Sequence, residues 1–149
     1  MGIRVMNEDD KLVRGAKDRV DLRKIDMTRP HTVAAFGAEM IEVRPERAVL
    51  RYTFRPEWCD SQGCVQGGVL CIFLDDAIGY AVIGYQGWGK LQPFTSTDLS
   101  THFLRPITGG SFDAVAQVVR MGAKALFVEA NIVQNEKMMA KASSALIFI

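Results

Sequence analysis

Several things are scarce in this 149-residue sequence, and each shortage narrows what the chain can do. Cysteine occurs three times, an odd number in a mid-sized chain, so there is no disulfide framework. Cys59, Cys64 and Cys71 lack paired metal-ligand spacing, and the only histidines, His31 and His102, are remote from one another. No charge sign dominates. Lys and Arg total 18 against 17 Asp and Glu, which leaves +1 and no basic excess for a nucleic-acid scaffold. A P-loop is missing, and so is a Gly-x-Gly-x-x-Gly after a strand, so nucleotide hydrolysis and dinucleotide binding lack support. Met1 to Asp10 holds no apolar h-region, so no secretory signal is visible. Hydrophobic residues at 48% and charged residues at 23% exclude a mostly disordered chain. The expectation is one soluble, reduced, cytoplasmic domain that needs no staples to hold its core.

The first 27 residues stand apart. Basic residues from Arg4 to Lys24 alternate with acidic ones from Glu8 to Asp26, which suits a solvated peripheral helix or arm. Thr28-Arg29-Pro30 then punctuates the chain, and residues 28–149 read as a single domain. Ala38 to Val43 and Ala48 to Phe54 alternate with period two around the turn Arg44-Pro45-Glu46, which suggests an antiparallel pair. Residues 55–65 read as a loop. Val69 to Ile83 is apolar nearly all round and too long for a typical strand, so it reads as a helix wrapped by protein. Asp75 and Asp76 near its centre argue against a membrane span. Four strands follow: Phe94 to Leu104, Ser111 to Met121, Lys124 to Gln134, and Met138 to Ile149. The fold class is therefore α+β, with an antiparallel sheet of about six strands curled around one long helix. One sheet cannot wrap a helix on all sides, so a second subunit is expected to cover the remainder.

Chemistry concentrates around that helix. A buried aspartate needs a partner, because desolvating a carboxylate costs several kcal/mol. Asp75 and Asp76 point about 100° apart; Asp76 suits a structural pairing with a neighbouring loop, and Asp75 suits an acid–base role. Gln66-Gly67-Gly68 stands at the helix start, where free backbone N–H groups and the positive dipole end can stabilise an oxyanion. The glycines let a carbonyl approach the backbone, and Gln66 adds an amide donor. From Gln66 to Asp75 is roughly 13 Å along the axis at 1.5 Å per residue. One helix cannot bring both ends to a single carbonyl, whereas antiparallel helices from two subunits can, so the site is expected to be shared across a twofold interface. Arg105, Arg120 and Lys124 fall at strand ends or turns, where ordinary solvated charges or contacts to phosphates are both open.

Gln66-Gly-Gly-x-Leu-x-x-x-x-Asp75-x-Ala77, with Thr97-Asp-Leu-Ser-Thr-His-Phe-Leu-Arg-Pro106 after it, resembles the hotdog-fold acyl-CoA thioesterases of the phenylacetate-degradation (PaaI-like) type over about residues 30–149. The resemblance implies a curved sheet around a central helix, a homodimer or dimer of dimers, and hydrolysis of acyl-CoA thioesters without metal or organic cofactor. It implies Asp75 as general base or nucleophile and the Gly67 N–H as the group that polarises the carbonyl, with Gln66 and Gly68 beside it. Ser96 or Thr97 would position the water. Two positions depart from the pattern: Gln66 replaces the usual histidine, and Asp60 stands where Asn or Gln is common. A carboxylate at 60 accepts but does not donate, and beside Asp75 it would raise one of the two pKa values. These departures keep a second reading open, a non-catalytic acyl-CoA-binding dimer. Neither a nucleic-acid nor a membrane partner is expected. Phe73, Ile72, Tyr80, Trp58 and Trp88 are candidates for lining an acyl pocket or for core.

Overall fold

The computed structural model describes residues 31–87 and 91–149. The charged arm read at residues 1–27, and Trp88, lie outside them. A one-turn helix α1 (Thr32–Ala35) precedes the hairpin β1 (Glu39–Arg44) and β2 (Arg47–Thr53). A loop with a short 3-10 turn at Pro56–Trp58 leads to the central helix α2 (Gly67–Gln86). Five strands complete the chain: β3 (Phe94–Ser96), β4 (Ser100–Phe103), β5 (Ser111–Met121), β6 (Ala125–Gln134) and β7 (Lys137–Phe148).

These strands form one antiparallel sheet in the order β1-β2-β5-β6-β7-β3, with β4 also paired to β7. The two short strands share the outer side of β7, so seven strands fill six positions. The single strand expected from Phe94 to Leu104 is thus corrected to two. It breaks at Thr97-Asp98-Leu99, where the Asp98 carboxylate takes the Ala145 N–H at 2.7 Å and competes with the backbone ladder. β7 is paired along both edges, in keeping with its apolar C-terminal run.

Burial follows the two periods. β5 sends Phe112, Ala114, Ala116 and Val118 inward, and β6 sends Leu126, Val128, Ala130 and Ile132. Small residues such as Ala48, Ala114, Ala116, Ala130 and Ala142 on this face, with Ala77 and Ala81 on the helix, let α2 lie close across the strands. The closest approach is at Gly84, where an added Cβ would sit 2.4 Å from the carbonyl oxygen of Arg44. At its start α2 is capped by Gln66, whose Oε1 accepts from the Val69 N–H at 3.2 Å. Gly87, at φ 82°, ends it.

The helix is not wholly wrapped. A strip made of Gly68, Ile72, Asp75, Asp76, Gly79 and Ile83 stays exposed or half-buried in the single chain, the remainder that one sheet does not cover. The spacing of roughly three and four residues makes this one continuous face of the helix.

Candidate active site

Asp75 and Asp76 are adjacent in sequence but serve different environments. Asp76 Oδ1 accepts from Thr32 Oγ1 of α1 at 2.5 Å, and its Oδ2 accepts from the Tyr52 hydroxyl of β2 at 3.3 Å. That is the structural pairing expected for one of the two acids. Burial pushes the Asp76 carboxyl above its ordinary value of 3.8, against the lowering effect of the Thr32 and Tyr52 hydroxyls. Burial also raises the Tyr52 phenol, and the Asp76 charge adds to it. Because the folded-state pKa of Asp76 is the higher one, its contribution to stability is fully present below about 3.8 and is lost as pH rises through the folded value. Asp76→Asn is therefore expected to flatten the fall of Tm on raising the pH from about 3.8 towards neutrality, as read by thermal melts at fixed protein concentration.

Asp75 is exposed, and its Oδ1 accepts from Ser96 Oγ at 3.2 Å. The two residues line a cavity of about 380 Å³ together with Cys71, Ile72, Thr97, Asp98 and Leu99. Thr97 borders that cavity, but its hydroxyl donates to the Ala145 carbonyl at 3.0 Å. Of the two hydroxyl residues expected near the acid, Ser96 makes the contact. With its proton donated to Asp75, the Ser96 oxygen keeps lone pairs that can accept from a water, beside a carboxylate able to take a proton.

The other candidates gather at the opposite end of this strip. Val69 and Leu70 N–H groups both bond to the Gln66 carbonyl, at 2.9 and 3.2 Å. The N–H groups of Gly67 and Gly68 have no acceptor among the described residues. They are the free donors that a helix start leaves over, with the dipole behind them. Gly67 lines a second cavity of about 320 Å³ with Asp60, Val65, Leu70, Phe103, Leu104, Arg105 and Pro106. A Cβ on Gly67 would stand 3.0 Å from the Phe103 ring, and one on Gly68 would stand 2.9 Å from Gln66 Oε1. The Gln66 amide oxygen is thus used as a helix cap, which leaves its Nε2 as the only end able to donate.

Asp60 sits on the Gly67 side, not beside Asp75. Its Oδ1 accepts from the N–H groups of Gln62 at 2.8 Å and Cys64 at 3.3 Å, and its own N–H donates to the Cys64 carbonyl. The carboxylate closes its own loop, a use that suits the short side chain of Asp. Within one chain the expected repulsion between Asp60 and Asp75 has no geometric basis, because the two line different cavities.

Several pocket candidates belong to the core. Phe73 is fully buried and Trp58 nearly so, in a ring cluster with Phe36, Tyr52 and Phe112. Ile72 does line the Asp75 cavity. Phe103 and Leu104, both about half exposed, were not among the candidates, although an apolar pair beside Arg105-Pro106 at a strand end was a visible signal. Arg105 donates to the Met138 carbonyl at 2.6 Å. His102 lies away from both cavities and borders a third, on the outer face of the sheet.

A family model of the thioesterase superfamily matches residues 62–141, more than half of the chain. The chain belongs to the thioesterase superfamily. The matched stretch spans Gly67, Asp75 and Ser96. Solved structures share the fold. The PaaI protein from the phenylacetic acid degradation operon of E. coli is 24% identical, with a TM-score of 0.72 over 78% of this chain and 83% of that one. A conserved protein of Pseudomonas aeruginosa is 20% identical, with a TM-score of 0.78 over 85% and 99% of the two chains. A mutant PaaI from Thermus thermophilus is 21% identical, with a TM-score of 0.71 over 78% and 97%. A search of curated proteins found no match. As a thioesterase superfamily member with this curved sheet around one helix, the chain has the hotdog fold, and thioester hydrolysis is the activity its membership supports.

Proposed function

We propose that this superfamily member is a PaaI-like acyl-CoA thioesterase whose active site is completed by a second copy of the chain. The observation that carries the reading is the division of one exposed helix face into two incomplete halves. The free Gly67 N–H lies at the helix start, and the Ser96-bound carboxylate of Asp75 lies near the helix middle. Eight residues separate them, about 12 Å along the axis. Two antiparallel copies of α2 bring Gly67 of one subunit to Asp75 of the other, twice per dimer.

At each composite site the Gly67 N–H, with Gly68 and the Gln66 Nε2 nearby, holds the thioester oxygen as it gains charge. Asp75 takes a proton from a water held by Ser96, or attacks the carbonyl carbon itself and is then released by water. By either route one water is consumed, the C–S bond breaks, and the CoA thiolate leaves and takes up a proton. Thr97 and Asp60 border the two openings through which substrate enters. The apolar walls, Ile72 and Leu99 on one side and Phe103 and Leu104 on the other, suit an acyl chain and the pantetheine arm.

CoA release from aryl, short, medium and long acyl-CoA thioesters tests the activity. The shared site is tested by complementation. Gly67→Pro removes the proposed donor at a first helical position whose backbone suits proline, since Gln66, at φ −65° and ψ 139°, already has the backbone a residue before proline needs. The exposed Phe103 ring, 3.0 Å from the added Cβ, has to turn slightly aside. Gly67→Pro and Asp75→Asn are each expected to be inactive. Mixed as unfolded chains and refolded together, they should recover roughly a quarter of wild-type turnover, because half the dimers are mixed and each mixed dimer holds one intact site. No recovery from two well-folded variants would sink the shared site. Acyl-CoA binding without turnover by the wild type would point instead to the non-catalytic dimer.

A further inference from the structure

β3 and β4 both pair with β7 along the same side, but in different registers. Ser96 stands opposite Leu146, and Ser100 stands opposite Ser143. Three residues, Thr97, Asp98 and Leu99, therefore face two, Ser144 and Ala145. This is a bulge with one extra residue.

The extra residue changes parity. In an uninterrupted strand Ser96 would share a face with residues 98, 100 and 102, while Thr101 and Phe103 would point the other way. Here Ser96 reaches Asp75 on α2, yet Thr101 and Phe103 reach α2 as well. Thr101 Oγ1 lies 3.6 Å from Cys71 Sγ, and the Phe103 ring covers Gly67. One sheet edge serves both half-sites only because a residue is inserted between them.

Asp98 holds the insertion in place. Its Oδ1 accepts from the Ala145 N–H at 2.7 Å, standing in for the strand carbonyl that the bulge displaces. Its backbone carbonyl accepts from the hydroxyl of the buried Ser144 at 2.8 Å. The Thr97 N–H and hydroxyl both donate to the Ala145 carbonyl, at 2.8 and 3.0 Å. No cationic side chain pairs with the Asp98 carboxylate among the described residues, so the backbone amide is its partner.

We propose that Asp98 is a positioning residue for thioester hydrolysis: its carboxylate pins the bulge that aims Ser96 at Asp75 while leaving Phe103 over Gly67. The proposal rests on the reading of Asp75 and Gly67 as the two halves of the site. Asp98 acts through Ser96 and the register of the edge, not on the reacting atoms.

The test compares Asp98→Ala and Asp98→Asn with the wild type on the thioester turned over fastest, following kcat, KM and hydrogen exchange at the Ala145 amide. Asn keeps an Oδ1 acceptor without the charge. Asp98→Ala is expected to lower kcat about tenfold or more with little change in KM, since small misplacements of a catalytic group are costly. Its Ala145 amide should exchange rapidly. Asp98→Asn is expected to restore kcat to near the wild-type value and to keep the amide protected. Ser144→Ala loosens the same bulge from the other side and should give a smaller fall in kcat, which keeps the proposal open to failure if Asp98→Ala folds poorly. Wild-type kcat in Asp98→Ala despite rapid exchange at Ala145 would overturn it. So would an Asp98→Asn variant as impaired as Asp98→Ala, since the charge would then be what matters. A wild type with no thioesterase activity would instead overturn the functional reading, and Ala145 exchange would still report whether Asp98 holds the bulge.

Discussion

Asp75→Asn is expected to lower kcat for thioester hydrolysis by about 10²- to 10⁴-fold, the range associated with losing a general base. The change is nearly isosteric. Asp75 is exposed, and its contact within the chain is the hydrogen bond from Ser96 at 3.2 Å, which the Asn oxygen can still accept. What disappears is the capacity to take a proton from water or to attack a carbonyl. Stability should change little, because the side chain keeps its shape and the hydrogen bond from Ser96 persists. The two readouts therefore separate chemistry from folding: thiol release measures kcat, and a melt at the same protein concentration measures the fold. Full activity in the variant would remove Asp75 from the reaction. Lost activity with an unchanged melt and retained acyl-CoA binding is the expected result.

Phe73→Ala is expected to cost about 3–5 kcal/mol of stability, as for an aromatic deleted from a packed core. The Phe73 ring is fully buried, with ring centroids of Tyr52 at 4.1 Å, Trp58 at 5.0 Å, and Phe36 and Phe112 each at 5.5 Å. Those partners come from separate parts of the chain. Phe36 caps α1, Trp58 anchors the loop that carries Asp60, and Tyr52 belongs to β2 and also binds Asp76. Removing one ring should loosen all three supports together, so activity should fall with stability. Denaturant unfolding at several protein concentrations measures the effect, because association of copies adds its own stabilisation. A loss below about 1 kcal/mol would mean that the cluster relaxes into the space left behind.

Much of the architecture was legible because local patterns and tertiary structure agree. Alternation over Ser111–Met121 and the neighbouring runs marks residues that face a helix on one side, and the strands form where the pattern indicates. The apolar run from Val69 to Ile83 has no strand-like period and became the centre of α2. The break at Thr97-Asp98-Leu99 was not legible, because each short piece keeps its own alternation and the competitor is a side chain, not a turn residue. The place of Asp60 within one chain was not legible for a related reason: its Oδ1 is committed to the N–H groups of its own loop. Hydrophobicity alone did not divide the aromatics, so Phe73 and Trp58 were candidates for a pocket as much as for the core they occupy.

By itself the sequence determined the α+β class, the helix with an acid inside it and free glycine N–H groups at its start, and the distance between those two features. All three follow from periodicity, capping chemistry and the fixed rise of a helix, which act over a few turns of chain. Only the tertiary structure decided which hydroxyl meets Asp75, which aspartate is held by Thr32 and Tyr52, and which rings fill the core. It also decided that one edge of the sheet can address both the start and the middle of the same helix. Those choices depend on residues from about 15 to nearly 50 positions apart competing for the same partners, as Trp58 with Phe73, Ser96 with Asp75 and Asp98 with Ala145 show. No local pattern records the outcome of such a competition, because its energy exists only once the sheet has closed against the helix.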